Sequence, residues 1–209
     1  MNKVELIEET FDKLNNTFEF ITLRNFHLIP EHSSIENDID LLIHKQDYEN
    51  VADYMAKLGY EITYDAGHTY LYGAVSHIHC ANRVENIHFD IVGGLYYRSL
   101  NDPLLFIGGL QPLEDSMWEN QIDVSSCWKH TPSVEDELTH LCCHSIFDKR
   151  VVPPVYASRI KELYEEADKD TLGYLFDAAF YKVGPHLLSL LEEDKSGSLF
   201  TEYTEYSNY

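Results

Sequence analysis

The chain predicts an α+β fold: a mixed sheet with flanking helices, followed by a C-terminal helical part. Three observations carry this. Apolar residues recur at helical spacing at the start of the chain and again after residue 133. Between them, from about residue 18 to residue 92, short runs rich in Ile, Val, Phe and Tyr read as strands. Pro153-Pro154 then cuts the last third into separate helices.

Taken in order, Val4, Ile7, Phe11 and Leu14 make one stripe over residues 3–16, the first helix. Phe18 to Leu23 is a strand, and residues 24–37, with Pro30, Ser33, Ser34 and Asn37, form a loop. A strand follows in Asp38-Ile39-Asp40-Leu41-Leu42-Ile43. Asp47 caps a helix bearing Val51, Tyr54, Met55 and Leu58, and Gly59 ends it. Tyr60 to Tyr64, residues 69–79 and Ile87 to Val92 are three further strands, with the turn at Asn82 to Asn86 joining the last two as a hairpin. Residues 93–132 are rich in Gly, Pro and aromatics and read as irregular. Ser133 opens a capping box with Asp136, and Leu138, Leu141, Cys142, Ser145 and Ile146 share the face of the helix behind it. Residues 155–167, 169–182 and 185–193 are three more helices. The expected organisation is therefore an α/β domain over 1–128, a helical domain over 129–195, and a tail over 196–209, flexible or docked on a partner.

Composition narrows the partners. A formal net charge of -21 argues against extended nucleic acid, whose binding depends on counterion release by Lys and Arg. One small nucleotide needs only a metal and a few local cations. No apolar run reaches membrane-spanning length and the first residues lack a signal-peptide core, so the expectation is no membrane and a cytoplasmic location. Cys80, Cys127, Cys142 and Cys143 fit no framework of bridges and are read as reduced thiols. A second copy of the chain stays open as a partner.

The chemistry concentrates in three acids. Strand side chains alternate, so Asp38 and Asp40 share one face while Ile39, Leu41 and Ile43 point into a core. Like charges side by side on a half-buried strand repel and resist burial, and a cation relieves both costs. All-oxygen ligands suit Mg²⁺ (or Mn²⁺), which combines one or two carboxylates with substrate phosphates. In Ile87-His88-Phe89-Asp90-Ile91-Val92, Asp90 shares its face with His88 and Val92. The plain alternative for the pair is a solvated strand end, and for Asp90 a surface position. Eleven His invite a zinc reading, with His140/His144 near Cys143 and His77/His79 beside Cys80, yet neither group has zinc-site spacing. Lys149 and Arg150 suit the end of the capping-box helix, and with Arg159 they also suit a phosphate grip. Arg98 is a further phosphate candidate.

The order helix, strand, loop, Asp-x-Asp strand, helix, strand, and a later strand with one more acid resembles the nucleotidyltransferase superfamily of the DNA polymerase β-like fold. Within it, the chain is most similar to small bacterial nucleotidyltransferase-like proteins, some of them tied to surface-polysaccharide biosynthesis. The resemblance covers about residues 1–95. It implies a nucleotidyltransferase-like sheet, a nucleoside triphosphate as substrate, Mg²⁺ on Asp38 and Asp40, and Asp90 as third ligand or base for an acceptor hydroxyl of a sugar, small metabolite or protein. The family's Gly-Ser, which holds the triphosphate, is replaced here by Arg24-Asn25, with Ser33-Ser34 nearer the acids. Arg24, Asn25 and Ser34 are thus the candidate triphosphate contacts, with Lys149 and Arg150 opposite. The loss of Gly keeps a second reading open: a module of the same fold that binds a nucleotide or protein without catalysis.

Overall fold

The computed structural model describes residues 2–206. Helix α1 (Lys3–Asn15) begins at a capping box, in which Asn2 and Glu5 each accept the other's backbone N–H at 2.9 Å. Strand β1 (Phe20–Thr22) follows, then β2 (Ile39–Ile43), α2 (Tyr48–Lys57), β3 (Glu61–Tyr64), β4 (Thr69–Leu71), β5 (Ile78–Asn82) and β6 (Ile87–Val92). Five of these strands form one sheet in the order β1-β2-β6-β5-β3. The β2–β6 pair is parallel and the other three are antiparallel, so the sheet is mixed, as expected.

The two faces of the sheet have different tasks. Ile39, Leu41, Ile43, Ile87, Phe89 and Ile91 point to one side, where α1 and α2 cover them with Ile7, Phe11, Val51 and Met55. Phe11 lies 5.7 Å from Phe89, edge to face, and 6.3 Å from Trp128, which anchors the later hairpin on the same core. On the other side, Ile21, Leu42 and Val92 pack with Leu113, Met117 and Leu175, and the polar residues of β2, β5 and β6 stand next to them.

The stretch over 93–132, expected to be irregular, is built. It holds β7 (Tyr96–Arg98), β8 (Leu105–Gly108), α3 (Gln111–Glu119), β9 (Ile122–Asp123) and β10 (His130–Thr131). Strands β4, β8 and β7 form a second small sheet, which splits the run over 69–79. The break lies at Tyr72 and Gly73, both with positive φ, where the chain leaves one sheet for the other. The first strand is shorter than expected, because the N–H groups of Thr17 and Phe18 return to Leu14 O and close α1. Asp47 does not cap α2 with its side chain; a 3₁₀ turn over Lys45–Asp47 leads in instead.

The C-terminal part comprises α4 (Val134–Cys143), a π-helical turn (His144–Lys149), α5 (Pro154–Glu166), α6 (Lys169–Phe180), α7 (Gly184–Glu192) and α8 (Leu199–Tyr206). Ser133 Oγ accepts Asp136 N–H at 3.1 Å and donates to Asp136 Oδ2 at 2.8 Å, a variant of the predicted box. Leu138, Ile146, Ile160, Leu163, Phe176 and Phe180 fill the core between these helices. Over 199–206 the chain forms α8, helical and packed, with Leu199 buried and Tyr203 5.3 Å from Phe147. Residues 207–209 lie outside the described residues. Among those described, no helix is long and apolar enough to cross a membrane.

Candidate active site

The parallel pairing of β2 and β6 sets the site. Asp40 lies opposite Asp90 across that pair, and Asp90 lies opposite His79 across the antiparallel pair with β5. Residues in register point to the same face, so this one row carries two carboxylates and an imidazole. Asp38 precedes β2 by one residue. It is delivered by a turn in which Ser34 Oγ accepts the N–H groups of Asn37 and Glu36 at 3.0 and 3.2 Å. Asp38, Asp40 and Asp90 each offer an oxygen within 4.8 Å of the others, and they are the one such group among the described residues. Asp40 and Asp90 are buried, and Asp38 is about one-third exposed.

Two of these acids have cationic partners. Arg24 Nη2 donates to Asp40 Oδ1 at 2.5 Å, and His77 Nδ1 sits 2.9 and 3.0 Å from the two oxygens of Asp90. Among the described residues, Asp38 has only His88 Nδ1, at 3.8 Å. Burial, with Asp38 and Asp90 adding to it, raises the Asp40 carboxyl well above the carboxylate range against the pull of Arg24. For Asp90 burial acts in the same direction, but the His77 hydrogen bond and nearby positive charge outweigh it and lower its pKa. Burial alone would lower His77; the Asp90 carboxylate outweighs that and raises it. Asp40 Oδ2 is buried with no hydrogen-bond partner among the described residues. A hard cation fits that orphaned oxygen and the all-oxygen donor set around it.

A cavity of about 320 Å³ opens on the triad. Arg24, Asn25 and the acids line one side, and His140, His144, Asp148, Lys149 and Tyr156 line the other. Its size falls at the lower end for small-molecule sites. Asn25 adopts left-handed backbone (φ 55), a conformation Asn tolerates better than most residues. Of the expected phosphate contacts, Arg24, Asn25, Lys149 and Arg98 line the cavity. Ser34 and Arg150 do not: the Ser34 hydroxyl is taken up in its own turn, and Arg150 donates to Ser99 O at 3.1 Å. Arg159 is also elsewhere, paired with Glu137 at 2.9 and 2.7 Å.

Sequence reasoning missed the acid-binding role of His77 and the far wall of the cavity. His144 Nδ1 is 2.8 Å from Asp148 Oδ2, and Tyr97 OH is 2.7 Å from His140 Nδ1. Burial lowers the pKa of both histidines well below the ordinary value, so both are neutral imidazoles at pH 7. The i, i+4 spacing of His140 and His144 was the available signal, and on a helix it puts both rings on one face. His77 and His79 showed the period-two spacing that puts them on the Asp90 face.

A carboxylate triad on a mixed sheet, open to a cavity walled by helices, places the chain among proteins of nucleotidyltransferase type. A protein family described as uncharacterised nucleotidyltransferase matches residues 34–179, well over half of the chain, and the chain belongs to that family. The match takes in all three acids and the far wall, and it begins after Arg24 and Asn25. Among curated proteins and among solved structures, nothing matches.

Proposed function

We propose that the protein is a divalent-metal-dependent nucleotidyltransferase that moves a nucleoside monophosphate from a nucleoside triphosphate to an acceptor hydroxyl. The acceptor oxygen bonds to the α-phosphorus, the α–β phosphoanhydride bond breaks, and pyrophosphate leaves. The single observation that supports this reading is the convergence of Asp38, Asp40 and Asp90 around the unpartnered Asp40 Oδ2. Mg²⁺ or Mn²⁺ held by these three acids would neutralise charge on the transferring phosphoryl group and orient it.

The rest falls to the chain. Asp90, held ionised by His77, takes the proton of the acceptor hydroxyl. Lys149, Arg98 and Asn25 bind phosphate oxygens from the cavity walls. Tyr156 and Leu95 line the cavity as well and exclude water from the reacting atoms. The four free thiols fit a reducing, cytoplasmic setting, and an acceptor in polysaccharide biosynthesis is compatible with a cavity this polar.

The test is turnover of α-labelled ATP, CTP, GTP and UTP with Mg²⁺ or Mn²⁺ against a panel of sugar and peptide hydroxyls. Pyrophosphate release by wild type, abolished in Asp38→Asn and Asp40→Asn, is the expected result. Nucleotide binding in calorimetry that ignores the metal and survives both substitutions, with no turnover, replaces this reading by that of a binding module.

A further inference from the structure

In a two-ion phosphoryl-transfer site the ions sit about 3.5–4 Å apart, and a carboxylate serves both most readily by turning one oxygen to each. Asp40 is the central acid of this triad, flanked by Asp38 on its own strand and Asp90 across the β2–β6 pair. Its Oδ1 is already engaged by Arg24 Nη2 at 2.5 Å, which leaves Oδ2 alone for an ion.

Arg24 is not a surface side chain that swings away. Its side chain is 12% exposed, and it lies on the residue that follows Leu23, whose N–H is fixed to Asp40 O at 3.0 Å. A guanidinium cannot lose its proton in a protein, so the positive charge beside Asp40 is permanent. A second ion at Asp40 would have to displace that guanidinium from Oδ1.

We infer that Arg24 is a resident cation that stands where a second metal ion would bind, so that this site takes a single divalent ion. Arg24 is then a positioning residue: it holds Asp40 Oδ1 and turns Oδ2 toward the ion. This rests on the metal-dependent reading above and adds the stoichiometry to it. It also assigns a use to the Arg24 that replaces the Gly-Ser implied by the resemblance.

Counting bound Mn²⁺ tests the idea without any turnover. Purified full-length chain is titrated with Mn²⁺, with and without an α,β-methylene nucleoside triphosphate, and free Mn²⁺ is read by electron paramagnetic resonance. Wild type and Arg24→Lys are expected to hold one ion per chain, with no Mn–Mn coupling in the spectrum. Arg24→Gln, shown folded by circular dichroism, is expected to gain a second, coupled ion. Two coupled ions in wild type overturn the inference and leave the proposed function standing. A count of one in both wild type and Arg24→Gln also overturns it, because the guanidinium is then not what keeps the second ion out. No bound Mn²⁺ under any condition removes the metal-dependent reading itself. Where Arg24→Gln does not fold, the wild-type count and its coupling decide.

Discussion

His77 brings Nδ1 within 2.9 and 3.0 Å of both carboxylate oxygens of Asp90, from the residue just before β5. One imidazole thus orients an acid on the neighbouring strand and holds its charge. Groups that hold a metal-binding carboxylate from behind typically contribute 10–100-fold to metal affinity. His77→Ala is therefore expected to weaken Mn²⁺ binding by about 10- to 100-fold. The thermal midpoint should fall as well, because the buried Asp90 carboxylate loses the partner that holds its charge. Calorimetry and a melting curve on the same sample check both halves.

The buried histidines of the far wall set an acid limit on stability. Burial depresses the pKa of His140 and His144 in the folded chain, whereas unfolded histidine titrates near 6.5. Below that value the unfolded state binds more protons, so the stability these groups contribute is present above about pH 6.5 and is lost as pH falls. Each histidine adds roughly 1.4 kcal/mol per pH unit to the slope once the unfolded imidazole is protonated. Urea unfolding at pH 7.5, 6.0 and 5.0 should show this loss. His144→Gln should make the slope shallower by about one proton.

Packing where α6 meets α7 leaves no room for a methyl group. A Cβ on Gly184 would stand 2.7 Å from Phe176 O and 2.9 Å from its carbonyl carbon, both backbone atoms. Gly184→Ala is expected to cost about 1–3 kcal/mol through overpacking. For a chain of this size that corresponds to a fall in melting temperature of several degrees, roughly 2–4 °C per kcal/mol.

Helix α8 props the cavity wall from outside. Tyr203 lies 5.3 Å from Phe147, edge to face, and 6.1 Å from Phe180. Phe147 belongs to the same π-helical turn as His144 and Asp148. Tyr203→Ala should destabilise the fold by about 2 kcal/mol. Removing residues 196–209 should lower nucleotide affinity as well, which a fluorescent nucleotide analogue would report.

The legible parts of this chain are those in which short-range pattern and long-range structure agree. The two-residue period of Asp38 to Ile43 and of Ile87 to Val92 was enough to place three acids on the correct face, because a strand has only two faces to choose from. Their adjacency needed more: β2 and β6 are parallel neighbours although some forty residues and three strands separate them in sequence. The resemblance supplied that step, since spacing contains no pairing information. Strands β7 and β8 were invisible because three or four residues beside Gly and Pro give no period to read. Arg24 was noted as a phosphate clamp, and its ion pair with Asp40 depends on the strand pairing that brings Leu23 to Asp40 O. The far wall failed for a simpler reason: His140 and His144 gain meaning only once α4 is docked over the sheet.

Leu175 of α6 is seated with Ile21, Leu42 and Val92 on the acid-bearing side of the sheet. A growing polypeptide leaves the ribosome N-terminus first, at about 5–20 residues per second. The strands are therefore complete seconds before the helix that shields them has been made. During that interval the nascent chain shows an uncovered apolar strip on this side of the sheet, a feature suited to a chaperone. Synthesis past residue 175 is thus what allows this side of the sheet to be covered.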